Sequence, residues 1–274
     1  MATIDITEVA RIVREVAAIE IMPRWRNLAE GDVRTKSRAG DLVTVADHAA
    51  EVALAERLVA LLPGSHVVGE EAVAADPDVL QLFRSAGPVW VLDPIDGTRK
   101  FATGEPTFDV MVALVIAGEP VAGCIYAPAE NTMYLGEAGG GAEWQAASGA
   151  VRSIIAPRGQ ALASLEGVMG AGAFTTRGLP DPAGVAHRFR GFSRPTCAGH
   201  NYGRLLSGQS EFLINFSTHP WDHLPGLAIA TAAGFAAARH DGAAFDPLDT
   251  RGGVLVAPDR PSWDEIHRLL LKSA

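Results

Sequence analysis

Residues 90–101 read WVLDPIDGTRKF, and the organisation of the whole chain can be worked out from this stretch. The apolar run from Val89 to Leu92 is a buried strand that delivers Asp93 at its carboxyl end. Pro94 cannot extend a ladder, and Gly97 permits a tight turn before a short helical piece. Asp93 and Asp96 therefore sit three residues apart on one turn at a strand end, where α/β sheets tend to bind ligands. Two carboxylates so placed raise one pKa sharply unless they are neutralised. A divalent cation that takes hard oxygen ligands, such as Mg2+, resolves that conflict. Taken alone, an Asx turn at Asp93 and a helix cap at Asp96 would be the better explanation.

Upstream, HVVGEE (residues 66–71) is a second apolar strand ending in acids, Glu70 and Glu71, with Gly69 allowing close backbone approach. Downstream, Asp222 follows Trp221 and opens an apolar helix, with Pro225 in its first turn. The ordinary role there is an N-cap, which does not exclude metal ligation, since one oxygen can serve each. Asp47 lies three residues after Thr44 and reads as a first-turn helix acid. Thr98, after Gly97, reads as a cap of its own short helix. Together Asp47 and Thr98 can form a hydrogen-bonded pair. The carboxylate accepts the hydroxyl proton and the hydroxyl oxygen accepts from a water, which raises that water's basicity without a histidine.

Further out, Ile6, Val9, Val13, Val16 and Ala17 recur at helical spacing, with Asp5 and Glu8 placed as a cap and its N3 partner and Pro23 as the stop. The polar stretch 31–41 is an irregular loop or a hairpin, followed by a helix from Thr44 to Leu62 that Pro63-Gly64 ends. Residues 108–144 read as an antiparallel meander, with GEAGGG (136–141) as a hairpin tip rather than a phosphate loop. After residue 150 the pattern alternates: strands near 165–169 and 211–216, helices near 199–207 and 222–234, a strand at 252–258, and a last helix from Ser262, whose Glu265 completes a capping box. This predicts an α/β (α+β) architecture of two sheet-and-helix subdomains, residues 1–150 and 151–274.

Composition narrows the classes. A chain of 274 residues with 48% hydrophobic and 20% charged content is neither disordered, nor collagen, nor coiled coil. The net charge of -9 without a basic run argues against nucleic acid. The N-terminus lacks the pattern of a signal peptide and no apolar stretch approaches ~20 residues, so a soluble cytoplasmic protein that binds no membrane is expected. Cys124 and Cys197, far apart, make neither a disulfide scaffold nor a thiolate zinc site, as in a reducing cytosol.

GEE at 69–71, DPIDGT at 93–98 and PWDH at 220–223 resemble, in order and separation, the three metal-binding signatures of the inositol monophosphatase-like family of Mg-dependent, lithium-sensitive phosphomonoesterases. Residues 36–51, KSRAGDLVTVADHAAE, match that family's loop-to-helix entry. The resemblance implies a layered α/β/α/β/α sandwich with the site between two sheets, and hydrolysis of a small phosphate monoester of the inositol monophosphate type. It implies that Glu70, Asp93 and the carbonyl of Ile95 hold one Mg2+, that Asp93, Asp96 and Asp222 hold a second, and that Glu70 helps with a weaker third. Asp47 and Thr98 take the positions of the water-activating pair, and Gly97 and Thr98 offer backbone N–H groups to the phosphate. A pocket of carboxylates binds a phosphate dianion only through cations. Two metals ~3.5–4 Å apart then clamp both oxygens of an in-line displacement. A homodimer is expected.

Departures concern the substrate. Arg99 and Lys100 stand where inositol phosphatases show Thr-Asn, and nucleotide-directed relatives, acting on 3′-phosphoadenosine 5′-phosphate, carry a Lys. Asn215 replaces a Glu that contacts sugar hydroxyls, and Ala232-Ala233-Gly234-Phe235 replaces a Glu-Ala-Gly-Gly ending. His200 falls in the substrate pocket, and Lys36, in the loop, is placed to contact metal-bound water. A histidinol-phosphate, nucleotide 3′-phosphate or sugar-bisphosphate phosphatase on the same fold stays open. So does a degenerate binding or regulatory module, against which the intact set Glu70, Asp93, Asp96, Thr98 and Asp222 argues.

Overall fold

The computed structural model describes residues 4–35, 42–249 and 251–272. Helix α1 (Ile6–Val16) begins where the sequence places it: the Asp5 carboxylate accepts the Thr7 N–H at 2.9 Å, and Val9, Ile12, Val13 and Val16 turn inward. A wider, π-helical turn, Ala17–Ile21, prolongs it. The polar stretch is a hairpin of β1 (Val33–Thr35) and β2 (Leu42–Thr44). Residues 36–41, Lys36 among them, lie outside the described residues. Helix α2 (Val45–Leu61) follows directly.

A seven-stranded sheet comes next. Strands β3 (His66–Gly69), β4 (Val89–Asp96), β5 (Asp109–Ile116), β6 (Glu119–Ala127), β7 (Thr132–Glu137), β8 (Gly141–Gln145) and β9 (Val151–Ile154) lie side by side in chain order. β3 and β4 are parallel and every later neighbour is antiparallel, so the expected meander runs through the sheet, which continues past residue 150. Short helices α3 (Glu70–Ala75) and α4 (Thr98–Ala102) leave the carboxyl ends of β3 and β4.

The second sheet contains β10 (Glu166–Val168), β11 (Gly191–Ser193), β12 (Phe212–Asn215), β13 (Ala236–Arg239) and β14 (Val254–Ala257), ordered β11-β10-β12-β14-β13. Its helices are α5 (Ala171–Thr176), α6 (Ala198–Leu206), α7 (Pro220–Ala232) and α8 (Arg260–Leu270). Helix α8 starts before the predicted Ser262 because Asp259 is its cap, accepting the Ser262 N–H at 2.9 Å, which leaves Ser262 inside the first turn. Among the described residues no helix is long and apolar enough to cross a membrane.

Five layers result, as the α/β/α/β/α expectation requires. Val13, Leu54 and Leu58 of α1 and α2 pack on Trp90, Val112 and Leu114 of the first sheet. Tyr202, Leu227 and Ile229 of α6 and α7 fill the space between Met111 and Ile125 of that sheet and Val168, Leu213 and Val256 of the other. Trp263, Ile266 and Leu270 of α8 cover the outer face at Phe212, Ile214 and Leu255. Helix α7 lies directly on the first sheet because β6 and β7 supply glycines beneath it. A Cβ at Gly123 would stand 2.3 Å from the Pro225 carbonyl oxygen, and one at Gly136 would stand 2.6 Å from Ile229 Cα. That contact carries the first turn of α7 to the carboxyl end of β4.

Candidate active site

The β4–β5 register breaks between Asp93 and Asp96, at Pro94, which has no N–H to donate. In an unbroken strand, residues three apart face opposite sides. The break brings both carboxylates to one side, where they meet Asp222, and oxygens of the three acids lie within 4.8 Å of one another. Asp222 is in the first turn of α7 rather than at its N-cap, because the helix begins at Pro220. Its Oδ2 accepts the Ser217 hydroxyl at 2.6 Å.

Burial dominates the electrostatics of this cluster. It pushes Asp93 far above the usual carboxylate range, with the charges of Glu70, Asp96, Asp222 and Asp47 adding to the effect. It pushes Asp96 up to about 8, reinforced by Asp222 and Asp109 and opposed by the Gly199 N–H. It pushes Asp222 up to about 6 against the Ser217 hydroxyl. Asp93 Oδ1 is buried without a hydrogen-bond partner. Since a buried polar atom is expected to be paired, this oxygen and its two acidic neighbours form a donor set that suits an oxygen-liganded divalent cation. The acidic residues can thus bind metal.

Glu70 opens α3 and stands outside that three-oxygen cluster, yet its charge raises both Asp93 and Asp222. Its position is set by Glu51, whose carboxylate accepts the N–H groups of Glu71 and Ala72, each at 2.8 Å. The close approach that Gly69 permits is made by this carboxylate: a Cβ there would sit 2.2 Å from Glu51 Cδ.

Asp47 and Thr98 meet as the pair the sequence suggested. Asp47 Oδ2 accepts both the N–H and the hydroxyl of Thr44, at 2.8 and 2.6 Å, closing a capping box. Its Oδ1 lies 3.1 Å from the Thr98 hydroxyl, which is also 3.0 Å from the Ile95 carbonyl. Thr98 follows Gly97, whose φ of +90° and 3.0 Å clearance from the Thr107 carbonyl leave no room for a side chain.

The substrate-directed residues have other partners. Lys100 is paired with Glu105 at 2.6 Å, whereas Arg99 is exposed. Asn215 ends β12, and its Oδ1 accepts the Ser217 N–H at 2.9 Å, helping to form the turn that serves Asp222. His200 Nδ1 contacts Asp109 Oδ2 and its Nε2 lies 3.6 Å from Glu130. Burial works against a charge on His200, but Asp109 and then Glu130 outweigh it and hold the ring up at about 8. Ser217, Glu51, Asp109 and Cys197 were not singled out in the sequence as site residues. Glu51 had a signal, since it is one helical turn from Asp47 on the same face. Asp109 and Cys197 depend on contacts between segments far apart in the chain, and Ser217 on the fold of one short turn.

The sequence model of the inositol monophosphatase family matches residues 5–274. A Thermotoga maritima protein named fructose-1,6-bisphosphatase/inositol-1-monophosphatase is 27% identical over 229 residues, covering 82% of this chain and 80% of that one. An inositol-1-monophosphatase of Synechocystis is 26% identical over 255 residues, 93% and 84% of the two chains. The structure of the Thermotoga maritima IMPase superposes with a TM-score of 0.77 at 23% identity, covering 96% of this chain and 94% of that one.

Proposed function

The chain belongs to the inositol monophosphatase family and is a phosphatase of phosphate monoesters, and from that premise we propose how its residues divide the reaction. The observation that carries the reading is the unpartnered Asp93 Oδ1 inside a buried acidic cluster beside the Asp47–Thr98 pair. Glu70, Asp93 and the Ile95 carbonyl would hold one Mg2+, Asp93, Asp96 and Asp222 a second, and Glu70 contributes to a weaker third. When bound, the ions supply the positive charge that a phosphate ester needs in this acidic pocket, and they acidify water.

The remaining work falls to side chains. Thr98 gives its proton to Asp47 Oδ1 and keeps a lone pair for the attacking water, drawing one water proton toward itself. Thr44 locks the other oxygen of Asp47, so the acceptor cannot rotate away. Gly97 and Thr98, at the turn into α4, supply N–H groups to the phosphate oxygens. Water oxygen forms a new bond to phosphorus, the ester P–O bond breaks, and the alcohol departs with a proton.

The substrate is a compact monoester such as myo-inositol 1-phosphate. The Lys100–Glu105 ion pair leaves exposed Arg99 as the cation of these two that has no acid partner among the described residues, which favours one phosphate over two. The enzyme is cytoplasmic, in keeping with its unpaired cysteines. A homodimer is supported by exposed Val151 on β9, the last strand of the first sheet, and by nearby exposed Ile155.

Phosphate release should be compared for inositol 1-phosphate, histidinol phosphate, fructose 1,6-bisphosphate and 3′-phosphoadenosine 5′-phosphate, before and after chelation and again with Mg2+ restored. The reading requires inositol 1-phosphate to be hydrolysed only when metal is present; hydrolysis after chelation overturns it.

A further inference from the structure

We propose that Asp109, Cys197 and His200 form a thiophilic metal site that takes one ion of the Zn2+ class beside the phosphatase centre. The three residues come from two elements: Asp109 opens β5, Cys197 caps α6 and His200 lies in its first turn. One donor atom from each, a carboxylate oxygen, a thiol sulfur and an imidazole nitrogen, lies within 4.8 Å of the other two. Two thiols alone cannot make a thiolate zinc site. The fold instead joins a single thiol to an acid and a histidine, a different donor set.

The spacing of the sulfur and the carboxylate suits tetrahedral zinc, and the imidazole, which now hydrogen-bonds Asp109 Oδ2 through Nδ1, swings back from that oxygen to complete the set. Cys197 Sγ lies 3.5 Å from Asp109 Oδ2, and bonds of roughly 2.3 Å to sulfur and 2.0 Å to oxygen at a tetrahedral angle set those atoms about 3.5 Å apart. Asp109 is 2% exposed, while Cys197 and His200 are only partly buried, so the site has an inner wall and an approach from outside. Behind the imidazole, Glu130 Oε1 lies 3.6 Å from Nε2, the arrangement in which a carboxylate orients a metal-bound histidine. On loading, the thiol proton and the proton shared between Asp109 and Nδ1 leave for solvent, Nε2 keeps its proton toward Glu130, and metal bonds replace those lost. Sulfur and nitrogen donors favour zinc, whereas the oxygen-only cluster at Asp93 favours Mg2+.

The two centres are mechanically joined. Asp109 pairs with Asp96 across β4 and β5. Gly199 is wedged between them, its N–H 2.5 Å from Asp96 Oδ2 and its virtual Cβ 2.6 Å from Asp109 Cβ. An ion that draws Asp109 and the start of α6 together therefore disturbs Asp96. On the proposed function, zinc therefore inhibits through Asp96, one of the acids that would hold the second Mg2+.

The test is equilibrium dialysis of the full chain against buffered Zn2+ with Mg2+ in excess, using wild type, Cys197→Ser and Asp93→Asn, together with absorption spectra on adding Co2+ alone. Wild type and Asp93→Asn should each retain a zinc equivalent that Cys197→Ser lacks. Both should also show a thiolate-to-cobalt charge-transfer band that the serine variant lacks. The zinc concentration for half-inhibition should rise about tenfold or more in Cys197→Ser. Zinc retention equal in wild type and Cys197→Ser, or no charge-transfer band in wild type, overturns the proposal. The wild-type band needs no variant to fold, and neither readout needs phosphatase activity.

Discussion

Thr98 places its hydroxyl 3.1 Å from Asp47 Oδ1, joining residues 51 positions apart in the chain. One proton serves two acceptors there, because the Ile95 carbonyl is equally near. If a cation takes the Ile95 carbonyl, the proton is left to Asp47 and the hydroxyl oxygen faces the water. Thr98→Ala should then lower kcat by roughly 10²–10⁴ with a smaller effect on KM, while Thr98→Ser retains most activity. Steady-state kinetics on inositol 1-phosphate would check this, and an unchanged kcat in the alanine variant would reduce Thr98 to a helix residue.

Glu51 should affect metal use without touching metal. Its carboxylate holds the Glu71 and Ala72 N–H groups at the start of α3 and so fixes Glu70. Glu51→Ala leaves two amides without their acceptor, which should destabilise the fold by about 1–3 kcal/mol. The Mg2+ concentration for half-maximal activity should rise while kcat at saturating Mg2+ changes less. Activity titrated with Mg2+ separates the two effects.

Acid stability should depend on His240. Burial lowers its pKa to about 4, and its Nε2 is buried without a partner. The unfolded chain, with an ordinary imidazole near 6.5, takes up a proton first as pH falls. His240 therefore costs no stability above about pH 6.5. Its contribution is lost progressively down to about pH 4, amounting to roughly 3 kcal/mol. His240→Gln should flatten the decline of Tm across that window, and an unchanged slope would contradict this.

Apo stability follows from the same logic at the acidic cluster. Burial and four acidic neighbours disfavour the charged form of Asp93, so Asp93→Asn should raise the Tm of the metal-free protein, by about 2–4 °C per kcal/mol relieved. Added Mg2+ should raise the Tm of wild type but not that of the variant.

Much of the fold was legible because the signals were local. Asp5 and Thr44 cap helices where they stand in sequence, and the alternation through residues 108–144 gives the meander. The α8 start was misread because Ser262 and Glu265 imitate a capping box while Asp259, followed by Pro261, supplies the actual cap. Asp222 is likewise not the N-cap that its place before an apolar helix suggests, because Pro220 starts α7 two residues earlier. The metal cluster was legible because Pro94 and Gly97 force the chain to turn between and after its acids. The Asp109–Cys197–His200 group was not, since it joins segments that only the folded chain brings together; the Ser217 contact is local, but a serine in a turn carries no signal that its hydroxyl will serve an acid five residues on. Local spacing likewise gives no sign that Lys100 pairs with Glu105, which removes half of the extra positive charge beside the phosphate turn.

The most direct test of the central claim is a calorimetric titration of Mg2+ into metal-stripped wild type and Asp93→Asn, with phosphate release from inositol 1-phosphate followed on the same samples. The buried acids predict that activity in wild type appears in step with Mg2+ binding and that the variant neither binds at the cluster nor turns over. Turnover in stripped wild type before Mg2+ is added, or Asp93→Asn binding Mg2+ and hydrolysing substrate as wild type does, would contradict it.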